Sequence, residues 1–304
     1  MGFVVQYQSV APNGSTIFNI PGSVSSYIVG ISSFSLTFGY PNQNQVQQIG
    51  LSLELPGQPV STQGQTQIEV TALATLSDTS GHVINNQEST LTVAMLAWTG
   101  AANSQVMLQS ATVNNGQSSN LTVPSETPAS GLQPMVSGFQ LAYPIGVVHN
   151  VQTVDIGVSS SPQNPGYASL GATAMMHDAS GNYVNGSGGT TANITGSLLA
   201  TSLSSPGCVK QILLPQQTIN PFPVDLGVPL TDAAVFVTGF QLQYPLPNDW
   251  WIMAIGAGTS GWNVSGSSVM LNGASAWMFD NSGHFQDDTA SSVSLVVIGI
   301  PSSC

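Results

Sequence analysis

The chain has 304 residues with one lysine, no arginine, 13 acidic residues and four histidines, so its formal net charge is −12 and only 5% of its residues are charged. Binding to a nucleic-acid backbone or to an anionic membrane surface needs several Lys or Arg side chains, and this composition excludes both classes of partner. No stretch approaches the roughly 18 consecutive apolar residues of a membrane-spanning helix.

With so few charges, Ser, Thr, Asn, Gln and Gly must supply most of the solvated surface, a composition associated with secreted, coat-like or filament-forming proteins. The first residues, Met1 to Gln6, show neither the basic region nor the apolar core of a secretory signal, so the expectation of an extracellular, cell-surface or particle-surface location comes without a visible signal peptide.

Read in order, Val4 to Val10 and Ser15 to Ile20 predict two short strands around a turn at Pro12-Asn13-Gly14. Ser26 to Phe38, Val46 to Leu55, Gln67 to Leu76 and Thr90 to Trp98 follow as strands in which apolar and polar residues alternate. The plan then begins again, from Gln105 to Leu203 and from Cys208 to Ile300. Its clearest mark is Val136-Ser137-Gly138-Phe139-Gln140-Leu141-Ala142-Tyr143-Pro144, which returns as Val237-Thr238-Gly239-Phe240-Gln241-Leu242-Gln243-Tyr244-Pro245, with a weaker copy from Val29 to Pro41. The Tyr-Pro pairs at 40, 143 and 244 lie 103 and 101 residues apart. An all-β chain of three tandem β-sandwich modules, jelly-roll or Ig-like, is expected, with modules at 1–101, 102–204 and 205–304. The 19 prolines and 32 glycines argue against long helices.

Each repeat also carries an Asp-x-Ser-Gly turn: Asp78 followed by His82, Asp178 by Asn182, and Asp280 by His284. Such tips are candidate ligand sites, although Asp caps a turn through its own side chain and Gly supplies the permissive backbone. One Asp per tip falls short of the six to eight oxygens that Ca²⁺ takes, and the four histidines lack the close pairing of a zinc motif, so no metal and no cofactor is expected. No nucleophile, base and orienting partner can be assembled from the sequence, which reads as non-enzymatic. Five tryptophans could offer stacking surface, Trp250-Trp251 above all, because alternation along a strand turns one ring inward and the other outward. Trp251 with Asp249 is therefore a further candidate binding pair. Cys208 and Cys304 open and close the third repeat, and a disulfide between them is expected.

Two functions fit these features. The first is a structural protein that self-associates into a homo-oligomer, coat or filament, because edge strands without lysines need another cover. The second is a multivalent lectin with one shallow loop site per module, in which neutral side chains meet glycan hydroxyls.

Overall fold

The computed structural model describes residues 2–99, 105–202, 220–245, 248 and 250–302, and the backbone alone of 209–214. Cys208, Cys304 and Asp249 lie outside the described residues, so the expected disulfide and the Asp249 site do as well.

The first repeat holds β1 (Phe3–Val10), β2 (Gly14–Pro21), β3 (Val24–Thr37), β4 (Gln48–Glu54), β5 (Val60–Thr62), β6 (Gln65–Ser77) and β7 (Thr90–Thr99). The second holds β8 (Val106–Asn114), β9 (Ser118–Thr122), β10 (Leu132–Ala142), β11 (Thr153–Pro162), β12 (Tyr167–His177), β13 (Tyr183–Val184) and β14 (Thr191–Thr201). The third holds β15 (Val209–Leu214), β16 (Phe222–Asp225), β17 (Leu230–Gln243), β18 (Ala254–Thr259), β19 (Trp262–Ser265), β20 (Ser268–Leu271), β21 (Ala274–Phe279) and β22 (Ser292–Pro301). The alternation that predicts them also sets their faces. In β6, Ile68, Val70, Ala72, Ala74 and Leu76 are buried, while Gln67, Glu69, Thr71 and Thr75 point the other way.

The chain is all-β, with several antiparallel sheets. Their strand orders are β1-β7-β3-β18-β21, then β2-β6-β4-β10-β14-β8, then β13-β12-β11-β17-β22-β15, with a small fourth sheet β16-β20-β19. Each large sheet therefore joins strands of two repeats. The second repeat meets the first where β10 pairs β4, the third meets the second where β17 pairs β11, and the first meets the third where β3 pairs β18. The circuit closes through five residue pairs at every seam.

A bulge marks each seam strand, between Ile31 and Ser33, Val136 and Gly138, and Val237 and Gly239. The repeated glycine follows from this geometry. A Cβ on Gly138 would stand 2.7 Å from the Leu51 carbonyl oxygen, and one on Gly239 2.6 Å from that of Ile156. In the first repeat the position is Ser33, and the glycine has moved across the seam to Gly258, whose Cβ would lie 2.4 Å from the Ser33 Cα. One residue without a side chain is required at each close backbone approach.

Most of the buried apolar residues form one cluster drawn from all three repeats. At its middle Phe34, Phe139 and Phe240 touch one another, with ring centroids 5.4 to 5.7 Å apart. Nearby, Gly30 faces Met135 and Phe236, so one repeat leaves out the side chain whose space a neighbour fills. The buried Ser32 hydroxyl donates to the Val235 carbonyl at 2.5 Å, and that of Ser137 to the Val29 carbonyl at 2.5 Å, tying the bulges of the first and second repeats to an adjoining repeat.

Backbone pairing revises one alignment made from the sequence. Phe38 N–H donates to Met253 O, as Tyr143 N–H does to Gln47 O and Tyr244 N–H to Gln152 O. The structural counterpart of Tyr143 and Tyr244 is thus the buried Phe38, and Tyr40 is 73% exposed. The spacing from this residue to the next bridge is the same in all three repeats, from Phe38 to Asn44, Tyr143 to His149 and Tyr244 to Trp250, so the first repeat's Tyr-Pro pair simply stands two residues further on, in the loop.

Candidate functional site

Where β3, β10 and β17 end, three short segments close a ring. Val46 bridges His149, Val151 bridges Trp250, and Ile252 bridges Asn44. Each bridge has its two backbone hydrogen bonds, 2.9 to 3.2 Å long. Val46, Val151 and Ile252 are fully buried and point into the core, so Asn44, His149 and Trp250 occupy corresponding places at one end of the molecule.

The three aspartate turns stand beside this ring. Asp78 Oδ1 accepts the Ser80 and His82 N–H groups at 2.8 and 3.0 Å, and its Oδ2 lies 2.6 Å from His82 Nδ1. Asp280 repeats the pattern with Ser282, with the His284 N–H, and with His284 Nδ1 at 2.5 Å from its Oδ2. In the second turn, Ser180 and Asn182 donate to Asp178 Oδ1, the Asn182 amide reaches Oδ2 at 2.6 Å, and His149 Nδ1 stands 3.2 Å from the same oxygen. An ionised carboxylate only accepts, so each of these ring nitrogens carries the proton. Gly81, Gly181 and Gly283 have φ between 88° and 94°, which explains the glycine of the motif.

Burial alone would raise all three carboxyls. It is outweighed by hydrogen bonds from the turn, to which a histidine charge adds, and all three lie below the ordinary carboxylate range. Both oxygens of each Asp are thus engaged within the protein. Among the described residues no group of three His, Cys, Asp or Glu side chains is placed to hold a metal ion.

The third turn lies beside an open cavity. Trp250 lies flat on the His284 ring, with centroids 3.5 Å apart and planes 9° from parallel. Trp250 packs against the core while Trp251 is exposed, as alternation predicts. Together with Gln43 of the first repeat and Asn150 of the second, they line a hollow of about 330 Å³ with Asp280, Ser282 and His284. Gln43 Oε1 accepts the Asn281 N–H at 2.6 Å and so fixes the first repeat to the third turn. Below, the buried Tyr244 hydroxyl donates to Trp251 O at 3.3 Å; its pKa is pushed far up, first by burial and then by the Asp280 charge.

The structure thus brings Trp251, Asp280 and His284 together and leaves Asp78 with His82 and Asp178 with Asn182 as separate tips. The sequence offers no sign of Gln43 or Asn150, because they are single amides in loops of other repeats. The remaining tryptophans do not join a common platform. Trp98 meets Phe3, Trp262 lies under Tyr7 and donates to Ala233 O, and Trp277 covers Gly256. A larger hollow of about 540 Å³ beside Asn115 and Asn185 is lined by amides, hydroxyls and small residues, with neither an aromatic ring nor a charge.

Fold and site define an all-β protein of several antiparallel sheets, with aspartate-anchored turns gathered at one end. Comparison with protein-family models, with curated proteins and with solved structures finds no match for this chain.

Proposed function

We propose that the chain is a non-enzymatic structural protein of the cell exterior or of a particle surface, made of three interlocked β-sandwich modules and self-associating into an oligomer, coat or filament. The observation that carries this reading is the seam. Each repeat completes its sheets only on strands of its neighbours, through the same five-pair register three times. A unit of this kind is an assembly unit, three copies of which are covalently joined here. The engaged carboxylates of the turns support the non-enzymatic reading, since none is left to act as base or nucleophile. No helix among the described residues is long and apolar enough to cross a membrane. The test is electron microscopy with light scattering on purified protein over a range of concentration and pH. Discrete oligomers, sheets or fibres are expected, and monodisperse monomers throughout would overturn the proposal.

The cavity at Trp251 favours a second reading, a lectin that takes neutral glycans. An exposed indole can stack on a sugar face while Gln43, Asn150 and Ser282 meet its hydroxyls. A glycan array decides it: binding that is lost in Trp251→Ala supports the lectin, and an array without signal removes it.

A further inference from the structure

Beyond the turns, the same end of the molecule carries a recurring apolar feature. The loop that follows each central seam strand exposes one large apolar side chain: Tyr40, Ile145 and Trp251. The residue after each turn exposes another: Val83, Tyr183 and Phe285, which pair with Ser77, His177 and Phe279 respectively. Ile145 is 97% exposed. The second of these positions recurs in all three repeats and the first in two, Tyr40 and Ile145 each standing four residues before Asn44 and His149 whereas Trp251 follows Trp250, and six apolar side chains thus stand around one end.

Other surfaces are less suited to contact. At the corner where β1 and β2 meet, Tyr7 and Ile17 are exposed as well, but the Gln6 and Gln8 amides donate to the Asn19 and Ile17 carbonyls and cover part of that edge. The hollows over two seams are lined mainly by polar and small residues such as Gln140, Thr195, Gln241 and Ser294. Six side chains of this size, 47 to 97% exposed, offer on the order of 800 Å², about the share of one partner in a standard protein interface.

We propose that this ring of apolar side chains is where a second copy of the chain docks, end to end. A second copy turned over on a twofold axis presents the same surface to its partner, and such an isologous contact closes on itself as a dimer. The inference rests on the self-association reading and names its surface.

Sedimentation of the full chain from micromolar to millimolar concentration tests it. Variants on the end are Ile145→Asp and Trp251→Ser; Leu55→Asp serves as control, because Leu55 is exposed beyond the far end of β4. Ile145 is so exposed that its replacement leaves folding intact, which an unchanged melting temperature verifies. The wild type is expected to dimerise, each end variant to weaken the dimer about tenfold or more, and the control to match the wild type. If the wild type dimerises and Ile145→Asp dimerises equally well, or if Leu55→Asp weakens the dimer as much, this surface is wrong while self-association stands. A wild type that stays monomeric removes both.

Discussion

Phe34 in the first repeat and Phe240 in the third pack ring against ring at 5.4 Å, and Phe139 in the second touches both. The hydrophobic stabilisation of each repeat is therefore shared with the other two, and the described part of the chain has one principal core.

Removing one member of the trio should affect the whole molecule. Phe139→Ala is expected to cost about 3–5 kcal/mol through lost burial and the cavity left behind. Calorimetry should show a single unfolding transition, moved to lower temperature as a unit. Separate transitions, only one of them shifted, would mean that the repeats unfold independently.

The seam glycines yield a paired prediction. Gly239→Ala puts a methyl group 2.6 Å from a backbone oxygen that cannot move without breaking the register, and should cost about 1–3 kcal/mol. Gly157, directly opposite, has nothing within 4 Å of its own Cβ position. Gly157→Ala should be neutral or stabilising by up to about 1 kcal/mol. Denaturant titration of the two variants checks the order, and equal costs would refute the steric account.

The turns set a dependence on pH. Asp178 lies below its ordinary range, since its hydrogen bonds outweigh the burial that alone would raise it. Its contribution is therefore complete above the unfolded value near 4 and is lost as pH falls through the lower folded value. Asp155 and Asp232 are shifted upward by burial and act in the opposite sense, so the measurement is a difference between proteins. Asp178→Asn should melt below the wild type at pH 7, and the gap should narrow as pH falls from about 4 towards 2. A gap that stays constant would show that the charge of Asp178 contributes nothing.

Gln152 is buried, and among the described residues its Nε2 has no hydrogen-bond partner. The corresponding place in the third repeat is Met253, whose carbonyl accepts the Phe38 N–H as that of Gln152 accepts the Tyr244 N–H. Gln152→Met keeps this backbone bond and removes an unpaired amide, and should stabilise by about 1 kcal/mol. A lower melting temperature for this variant would contradict the assignment.

Alternation of apolar residues, the recurring Phe139 and Phe240 stretches and the three Asp-x-Ser-Gly turns are local properties, and from them the sequence alone determines an all-β chain with a threefold recurrence. The turns were legible because an Asp with its own following N–H groups, and a Gly at positive φ, need no distant partner. Which sheet each strand would join was not, since strands pair through backbone groups that are the same in every residue, and β10 carries no mark that sends it to β4. The correspondence of Asn44, His149 and Trp250 was hidden for the same reason: their backbones pair alike while their side chains share nothing. Phe38 takes the place that the Tyr-Pro repeat assigns to Tyr40, because burial in the common core, and not identity of letters, decides which residue of a loop is equivalent. Only the tertiary structure could gather Gln43, Asn150 and Trp251 from three repeats around one cavity, because that needs the ring of bridges to close first.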